Sequence, residues 1–585
     1  MSKKRSPIWW VVLVVGLVVV NFIASQLHSR FDLTHEKRYS LTKTTKDLLG
    51  QLKNEIVVNV YLKGDFPTEF RKLATATQEF LSVLKESNPS NIRYYFVDPQ
   101  DEVFSGKTWA DSLRQLGVDP INLTVQVKAG QENKIIFPYA IINYEGQQSL
   151  VNLFQSSKRN ISVSELNNAE AMMEYQFASK IDRMLYPEKP LIAYCVGNGE
   201  PERAEVFALR HTIDPESINY AALPDDARQR FPPARSNYFL NLVDLQTLPF
   251  VPDTFKVLLI VKPSIQFSDS EKLKIDQYIM RGGKVLWFID DLHAEQDSLS
   301  IKSQLIAYDR NLNLEDLLFN YGVRVNPDLI MDLQCDFLPF AVGGNPSNPQ
   351  YEFLHWNYYP LFESRNNHII NKNIGLVAGH FVNSIDTVGG KEIRKTILLQ
   401  SSANSRTIGT PAVISPNENR NAPEDALFKQ HDIPAAVLLE GKFSSLYRSR
   451  IARSQMDTLR KYGGFRKETQ EENKMIVVAD GDLVLNDVSP KSGPLPMGMN
   501  TFTVGTQYEY QFANKDLLLN CLEYLTSKGN IIKTRNKEIV LRLLDLKKVE
   551  AEKTTWQFIN IALPVLIIIL FGYIYQQIRK RKFAS

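Results

Sequence analysis

Two long apolar segments lie near the two ends of the chain and frame a more polar central region. Neither Ile8–Leu27 nor Trp556–Tyr575 contains a charged residue, and only Pro564 interrupts the helical pattern of the second. At about 1.5 Å per residue, twenty helical residues cross a hydrocarbon core roughly 30 Å thick. The pattern therefore predicts two membrane-spanning helices, over residues 8–27 and 556–576.

Basic residues flank both segments on their outer sides. A Lys-Lys-Arg run occupies residues 3–5, and an Arg-Lys-Arg-Lys run occupies residues 579–582. Because cytoplasmic flanks of membrane helices are enriched in lysine and arginine, we expect a cytoplasmic N-terminus over residues 1–7 and a basic cytoplasmic tail over residues 577–585. The central region is then extracytoplasmic, and periplasmic in a bacterium with two membranes. A cleaved secretory signal is the alternative for the first segment.

The first part of the central region, residues 28–187, alternates between helical and strand patterns. Its element order, βαβαββα, predicts a thioredoxin-like α/β domain. Since the chain contains no CxxC motif, we expect a scaffold role rather than thiol chemistry. The predicted elements are a short helix carrying Leu48, Leu49 and Leu52, the helices Pro67–Lys85, Thr108–Leu116 and Val163–Leu185, and the strands Ile56–Leu62, Ile92–Val97, Ile121–Val127 and Lys134–Tyr144.

The second part, residues 188–545, predicts a larger α/β domain with long inserted loops, followed by a linker over residues 546–555. Its strands are continuously apolar, which is typical of a parallel sheet covered on both faces, of the glutamine amidotransferase-like or flavodoxin-like kind. The predicted strands are Leu191–Val196, Lys256–Val261, Lys284–Ile289, Gly375–Phe381, Thr396–Leu399, Ala435–Leu439 and Met475–Val478; the helices are Ser268–Met280, Lys515–Leu525 and Asn536–Val549; the loops are Gly343–Gln350 and Ser401–Asp425.

Polar residues follow the ends of several of these strands. Because ligands of parallel sheets bind beyond the carboxyl ends of the strands, we expect ligand or partner contacts there. Glu200 with Asp290 and Asp291 could form a carboxylate pair for catalysis, but Asp at a strand end more often caps or turns the chain. Asp480 and Asp482 could hold a cation through oxygen ligands, but a strand-end turn is favoured there as well. We therefore predict no catalytic, cofactor or metal site. The candidate contacts are Gly197, Asn198, Gly199, Glu200, Asp290, Asp291, Asp480 and Asp482.

The net charge and the positions of the cysteines argue against several classes of function. The formal net charge of +3 over 585 residues gives no reason to expect a nucleic-acid partner. Cys195, Cys335 and Cys521 lie far apart, which indicates neither a zinc site nor a disulfide framework. Cys195 ends a strand as a nucleophile would in an amidotransferase-like sheet, but no histidine partner is identifiable, so a buried core thiol is favoured.

Seven stretches of the chain carry a resemblance to a known family. They are Arg30–Leu49, Phe70–Leu81, Gly197–Glu202, Lys274–Asp290, Leu438–Tyr447, Val477–Asp487 and Asn514–Leu525. In this order, between two apolar segments, the chain resembles the gliding-motility-associated ABC transporter accessory, or "substrate-binding", family of Bacteroidetes known as GldG. One departure is visible, because the family loop usually reads Gly-His-Gly-Glu and Asn198 replaces the histidine here. This departure argues against acid–base chemistry at the loop.

The resemblance implies a non-catalytic accessory subunit in the inner membrane, without a cofactor. Its partners would be a polytopic ABC permease, a separate ATPase and the lipid bilayer, in a system linked to gliding motility and type IX secretion. The chain shows no GxxxxGK[ST] loop, which fits an ATPase on another polypeptide. The subunit would couple the transporter to an envelope component. Two alternatives remain: a solute-binding receptor that delivers a ligand to the permease, and an amidotransferase-like hydrolase.

Overall fold

The structure is a computed structural model with two compact units, residues 1–537 and 538–585. It describes residues 13–21, 40–536 and 546–583. The gaps within these ranges are residues 65, 105–106, 116–117, 119, 128–129, 155–162, 297–303, 346–347, 365, 367, 373, 390–391, 416–424, 452–455, 457–458, 462 and 528–530.

Residues 40–185 fold around a four-stranded sheet of order Ile92–Phe96, Ile56–Val60, Tyr139–Tyr144, Gln147–Asn152. The first two strands are parallel, and the other two pairings are antiparallel. Apolar residues of the long helices pack on the inner positions of these strands and close one core. The helices are Lys43–Leu49, Thr68–Ser87, Trp109–Gln115 and Val163–Leu185, and the short hairpins are Glu102–Phe104 with Lys107–Thr108 and Ile121–Val127 with Gly130–Ile136.

The predicted strand Lys134–Tyr144 is wrong as a single element. The structure divides it into Gly130–Ile136 and Tyr139–Tyr144, which belong to different sheets. Pro138 lies at the break, where it has no backbone N–H to donate to a ladder. The strand Gln147–Asn152, which pairs with Tyr139–Tyr144, was not predicted.

The core of the larger region is a seven-stranded sheet. The first five strands are parallel, whereas Pro434–Gly441 runs antiparallel to both of its neighbours, so the predicted parallel sheet is a mixed one. The inserted segments return the chain in the opposite direction, and a hairpin-like pairing at one edge results. The strand order is Phe239–Asp244, Leu191–Val196, Phe255–Val261, Lys284–Phe288, Asn473–Val478, Pro434–Gly441, Ile393–Gln400.

Helices cover both faces of this sheet, as the apolar strands predict. Alternate strand residues enter two separate cores, because successive side chains of a strand point to opposite faces. One face packs against Asp269–Met280, which begins with a capping box between Ser268 and Glu271. The α-helices of this region are Phe207–Ile213, Asp225–Arg230, Asp269–Met280, Glu315–Tyr321 and Asn514–Thr526, and the 3₁₀ segments are Ala204–Val206, Pro215–Ser217, Tyr220–Ala222, Asp425–Leu427, Asp482–Val484 and Ile531–Asn536.

Small antiparallel sheets occupy the long insertion between Lys284–Phe288 and Pro434–Gly441, and one further two-stranded sheet follows Asn473–Val478 in the chain. The predicted loop Gly343–Gln350 is instead the tip of a long hairpin, and two strands lie within the predicted loop Ser401–Asp425. The pairings are Leu292–His293 with Leu305–Asp309 and Ala412–Ile414, Val323–Val325 with Ile385–Thr387, Asp328–Asp332 with Ser405–Gly409, Cys335–Asn345 with Asn348–Phe362 and Val377–Ala378, and Val488–Ser489 with Gly493–Pro494.

The second unit contains the helix Leu546–Phe583, which continues through the predicted linker. Its stretch Glu552–Arg581 is long and apolar enough to cross a membrane, and it is the one such helix among the described residues. Residues 537–545 of the predicted helix Asn536–Val549 lie outside the described residues, whereas its last four residues, 546–549, belong to the helix Leu546–Phe583. Of the first predicted span, residues 13–21 are helical, and the rest of residues 8–27 likewise lies outside the described part.

Candidate functional site

Charged side chains meet at the carboxyl edge of the large sheet. Lys262 directly follows the strand Phe255–Val261, and Asp290 and Asp480 each stand two residues beyond the ends of the next two strands. Because parallel strands end at the same edge of a sheet, these three residues are brought together from distant parts of the chain. We call this group, together with Asp482 and the residues that contact it, the Lys262 cluster.

The ammonium group of Lys262 lies among three carboxylates. Its Nζ is 2.6 Å from Oδ1 of Asp482, 2.9 Å from Oε2 of Glu295 and 3.7 Å from Oδ2 of Asp290. Burial alone would lower the pKa of Lys262, but the charges of the three carboxylates outweigh it and hold the pKa above its ordinary value. Lys262 therefore remains charged and neutralises the cluster.

Several groups around Asp290 offset the negative charge of its carboxylate. The backbone N–H of Gly481 donates to its Oδ1, and Nη2 of Arg310 lies 3.9 Å from its Oδ2. Burial raises the pKa of Asp290 to about 6, while Lys262 and Arg310 act in the opposite direction. A Cβ on Gly481 would lie 2.7 Å from Cγ of Lys262, so this close approach requires glycine.

Asp480 acts as an acceptor for backbone groups. It is completely buried and accepts hydrogen bonds from the N–H groups of His380 at 2.9 Å, Asp482 at 2.8 Å and Leu483 at 3.0 Å. Burial first, and then the charges of Asp290 and Asp482, raise the pKa of Asp480 well above its ordinary value. The residue fixes the turn after its strand to the loop that carries His380.

The cluster has the donor set of a hard-cation site but also supplies its own cation. Carboxylate oxygens of Asp290, Asp480 and Asp482 lie within 4.8 Å of one another, and such oxygens are the ligands that calcium and magnesium prefer. The Lys262 ammonium contacts two of these three carboxylates. The arrangement therefore favours an internal ion-pair network over a metal centre.

The Gly197–Glu200 loop is hydrogen-bonded to the residues that follow the neighbouring strand, Phe255–Val261. The carbonyl oxygen of Asn198 accepts the N–H groups of Ser264 at 2.9 Å and Ile265 at 2.8 Å, and Asn198 itself is fully buried. Gly199 has φ of +76°, and a Cβ there would lie 2.2 Å from Oγ of Ser264. Within the described residues, no hydrogen bond or ion pair joins this loop to the Lys262 cluster.

The buried carboxylate of Glu200 holds this loop from inside. Its Oε2 accepts the N–H of Asn198 at 2.7 Å. Burial raises the pKa of Glu200 to about 7, against the effect of its backbone hydrogen bonds. This bond rigidifies the loop, but neither residue is presented to solvent.

Asp291 has different neighbours from Asp290. Its backbone N–H donates to Oδ1 of Asn383 at 2.9 Å, whereas its carboxylate lines a crevice. Burial raises the pKa of Asp291 to about 7, and the charges of Asp309 and other carboxylates add to the increase. The sequence predicted Asp290 and Asp291, with Glu200, as candidates for one carboxylate pair, but the structure places Asp290 and Asp291 in separate environments.

Cys195 lacks the surroundings that activate a nucleophile. The thiol is fully buried, and burial, followed by the charges of Glu200 and Glu271, raises its pKa well above the ordinary value. Catalytic cysteines need the opposite shift, toward the thiolate. No histidine hydrogen-bonds to Cys195 in the part of the chain that the structure describes.

Sequence reasoning missed the cation at the centre of the cluster. Lys262 directly follows a strand that was predicted, so the rule about carboxyl ends applies to it as well as to Asp290. Glu295 and Arg310 lie in the insertion, where no periodic pattern pointed to them. Arg310 donates to Glu295, and the contacts of Glu295 with Lys262 and of Arg310 with Asp290 connect the insertion to the edge of the sheet.

Comparisons with known proteins address the family directly. A family model described as "ABC-type uncharacterized transport system" matches residues 189–521, which is more than half of the chain, and a domain of unknown function matches residues 35–143. An uncharacterized protein of Borreliella burgdorferi is 18% identical over 572 residues, covering 94% of each chain. None of these matches specifies gliding motility.

Two solved structures align with about half of the chain at low similarity. One is described as "mmIFT52 N-terminal domain", with 13% identity and a TM-score of 0.29, covering 58% of this chain and 98% of that one. The other is a ThuA-like protein from Bacteroides uniformis, with 14% identity and a TM-score of 0.25, covering 59% of this chain and 95% of that one. TM-scores this low carry no argument about fold or function.

Proposed function

The chain belongs to the ABC-type uncharacterized transport system family, and on this premise we propose that it is a non-catalytic accessory subunit of an ABC transporter. The observation that carries the proposal is the family match over residues 189–521, which includes the large sheet and its charged edge. The C-terminal apolar helix supports anchoring of this subunit in a membrane. Its partners are a polytopic permease and a separate ATPase.

We place both termini in the cytoplasm and the central region in the periplasm. The supports are the basic runs at residues 3–5 and 579–582 and the apolar pattern of residues 8–27, which we take as a second span. The family resemblance described above further supports a system linked to gliding motility and type IX secretion. In this arrangement the central region reaches an envelope component.

The strand orders support a scaffold of two α/β domains. In chain order, the small sheet reads 2-1-3-4 with its last two strands antiparallel, which agrees with a thioredoxin-like domain without a CxxC motif. The five parallel strands of the large sheet read 2-1-3-4-5, the doubly wound order of flavodoxin-like folds. Both folds carry many unrelated functions, so the function has to come from the site.

Contacts near the end of the first unit support a coupling role. The 3₁₀ segment Ile531–Asn536 precedes the C-terminal helix in the chain. The guanidinium of its Arg535 lies 4.9 Å from the ring centroid of Tyr175. Arg535 also donates to Asn520 of the large region, and the hydroxyl of Tyr175 donates to Glu523. One buried arginine thus connects both α/β regions, so a movement of the segment Ile531–Asn536 would reach both.

The two alternative functions have weaker support. The hydrolase requires an activated Cys195, but its burial and its carboxylate neighbours disfavour the thiolate. The solute receptor requires polar groups that converge on an open cleft. At the sheet edge, Asn198 is buried and Lys262 neutralises the carboxylates, which is the arrangement of a structural joint.

Purification from native membranes tests the proposal. We expect the tagged full chain, extracted in mild detergent, to recover an ATPase and a permease in a fixed ratio. A second tagged protein with two membrane spans from the same host serves as the control and should recover neither. Recovery of neither subunit by the full chain would refute the accessory role, and a reporter fused after Ser585 that is extracytoplasmic would refute the orientation.

A further inference from the structure

A small crevice lies beside the carboxyl edge of the large sheet, on the side of Asp291. Most of its lining is apolar, and Asp291, Glu315 and Arg324 complete it. The apolar side chains are those of Ile289, Leu312, Leu314, Leu318 and Val325. Its volume is about 20 Å³, slightly more than the roughly 10 to 15 Å³ that a single water requires. One group of the size of a water molecule therefore fits at the bottom.

The carboxylate of Asp291 lines this crevice without compensation. The residue is 9% exposed, and its backbone N–H and C=O are engaged by Asn383 and Arg310. In the described part of the chain, the carboxylate itself has no hydrogen bond or ion pair. A buried carboxylate without a partner is unfavourable, so this group is a ready acceptor for a donor that enters the crevice.

The surrounding charges make the crevice anionic. Glu315 lines it, and Asp309 and Asp328 are close enough to raise the pKa of Asp291. Arg324, which also lines the crevice, is the opposing cation, and its side chain is exposed to solvent. A cationic group that reaches Asp291 would thus be attracted by four carboxylates and repelled by one guanidinium.

From this geometry we propose that the crevice binds a primary ammonium group carried on an apolar stem. The ammonium has the size of the cavity and three N–H donors, and the aliphatic walls accept the methylene groups. A divalent metal fits less well, because it requires about six oxygen ligands and most of this lining is hydrocarbon. The inference does not depend on the proposed accessory function.

The same chemistry has two sources, a free alkylamine and a lysine side chain of a partner protein. Calorimetric titration of the full chain in detergent at pH 8 separates them, with n-butylammonium as one probe and the amide of Nα-acetyl-lysine as the other. Binding of n-butylammonium alone identifies a free amine, and binding of the lysine derivative identifies a side chain. Tetramethylammonium, which lacks N–H donors and exceeds the cavity, should not bind.

Two variants and the pH dependence make the test specific. Asp291→Asn should weaken binding at least tenfold, whereas Asp225→Asn, at an exposed aspartate on another helix, should leave it unchanged. Because Asp291 must be ionised and its pKa is about 7, binding by the unmodified chain should weaken about tenfold from pH 8 to pH 6. The unfolding midpoint of Asp291→Asn shows independently that this variant is folded.

Three outcomes would overturn the proposal. The first is the absence of saturable binding by either amine, which would leave water as the occupant. The second is equal binding by Asp291→Asn and the unmodified chain. The third is binding of tetramethylammonium as tightly as n-butylammonium, which would indicate only a diffuse anionic surface.

Discussion

Asp290 and Asp291 are neighbours in the chain, yet their carboxylates occupy opposite electrostatic environments. Asp290 lies near Lys262 and Arg310 and accepts the N–H of Gly481. Asp291 lies in a largely apolar crevice, where its charged neighbours are further carboxylates and the guanidinium of Arg324. Burial raises the pKa of both groups. Lys262 and Arg310 offset the increase at Asp290, whereas the solvent-exposed Arg324 is the opposing cation at Asp291.

The contrast shows where this sheet edge is rigid and where it is open to a partner. A compensated buried charge holds its surroundings in place, because removal of one partner leaves the other charge uncompensated. A buried carboxylate without an ion-pair partner instead destabilises the folded state until a cation binds to it. The Lys262 cluster is therefore the structural part of the edge, and the crevice of Asp291 is the part available for recognition.

Loss of the central cation should have the largest effect. Lys262→Met would leave the carboxylates of Asp290 and Asp482 without their shared ammonium group, and we expect the free energy of unfolding to fall by roughly 3 to 5 kcal/mol at pH 8. The loss should be smaller at pH 5, because the carboxylates can then take up protons. Urea unfolding of the full chain in detergent measures both values.

The matched control is a lysine at the start of the same strand. Lys256 is exposed to solvent, so Lys256→Met should change the free energy of unfolding by less than about 0.5 kcal/mol. Equal effects of the two substitutions would contradict the view that Lys262 neutralises a buried cluster.

A smaller loss of stability should follow when an added methyl group crowds the Lys262 cluster. The added methyl group of Gly481→Ala would meet Lys262 and lie 3.0 Å from Oδ2 of Asp290, so the ammonium must move. We expect destabilisation of about 1 to 3 kcal/mol by the same urea measurement. Gly409→Ala, where a methyl group would meet nothing within 4 Å, is the control, and a larger loss there would argue against the packing explanation.

Removal of one compensated charge should have the smallest cost. In Asp290→Asn, the amide oxygen can still accept the N–H of Gly481, and Lys262 keeps Asp482 and Glu295 as ion-pair partners. We expect a loss below about 1 kcal/mol at pH 8, measured by urea unfolding, since lost attraction and relieved desolvation nearly cancel. A loss as large as that of Lys262→Met would mean that Asp290 is the essential partner.

Local sequence patterns predicted much of the fold that carries these residues. The strand Leu191–Val196 has the predicted bounds, and Lys284–Phe288 differs from its prediction by one residue. The carboxyl-end rule then selected Asp290 and Asp480, which the structure brings together. Opposite faces for Asp290 and Asp291 also agree with the two-residue period of extended chain, which the assignment of both residues to one candidate site with Glu200 did not consider.

Other features depend on contacts between distant segments. The strand Lys284–Phe288 pairs with Asn473–Val478, nearly two hundred residues later, and no local pattern reveals that Lys262 and Asp482 meet there. The anionic character of the crevice likewise depends on Asp309 and Asp328 from the insertion. The insertion forms short strands in separate small sheets, and such elements give weak periodic signals.

The most direct test of the contrast is the pH dependence of unfolding for Asp291→Asn. Because the pKa of Asp291 rises from 3.8 to about 7 on folding, the unmodified chain should lose stability as the pH rises between these values. The asparagine does not titrate, so this variant should be more stable by on the order of 2 to 4 kcal/mol at pH 8, with the gain vanishing near pH 4. A loss of stability at pH 8, as expected for Asp290→Asn, would show that the carboxylate of Asp291 is compensated and would contradict the account.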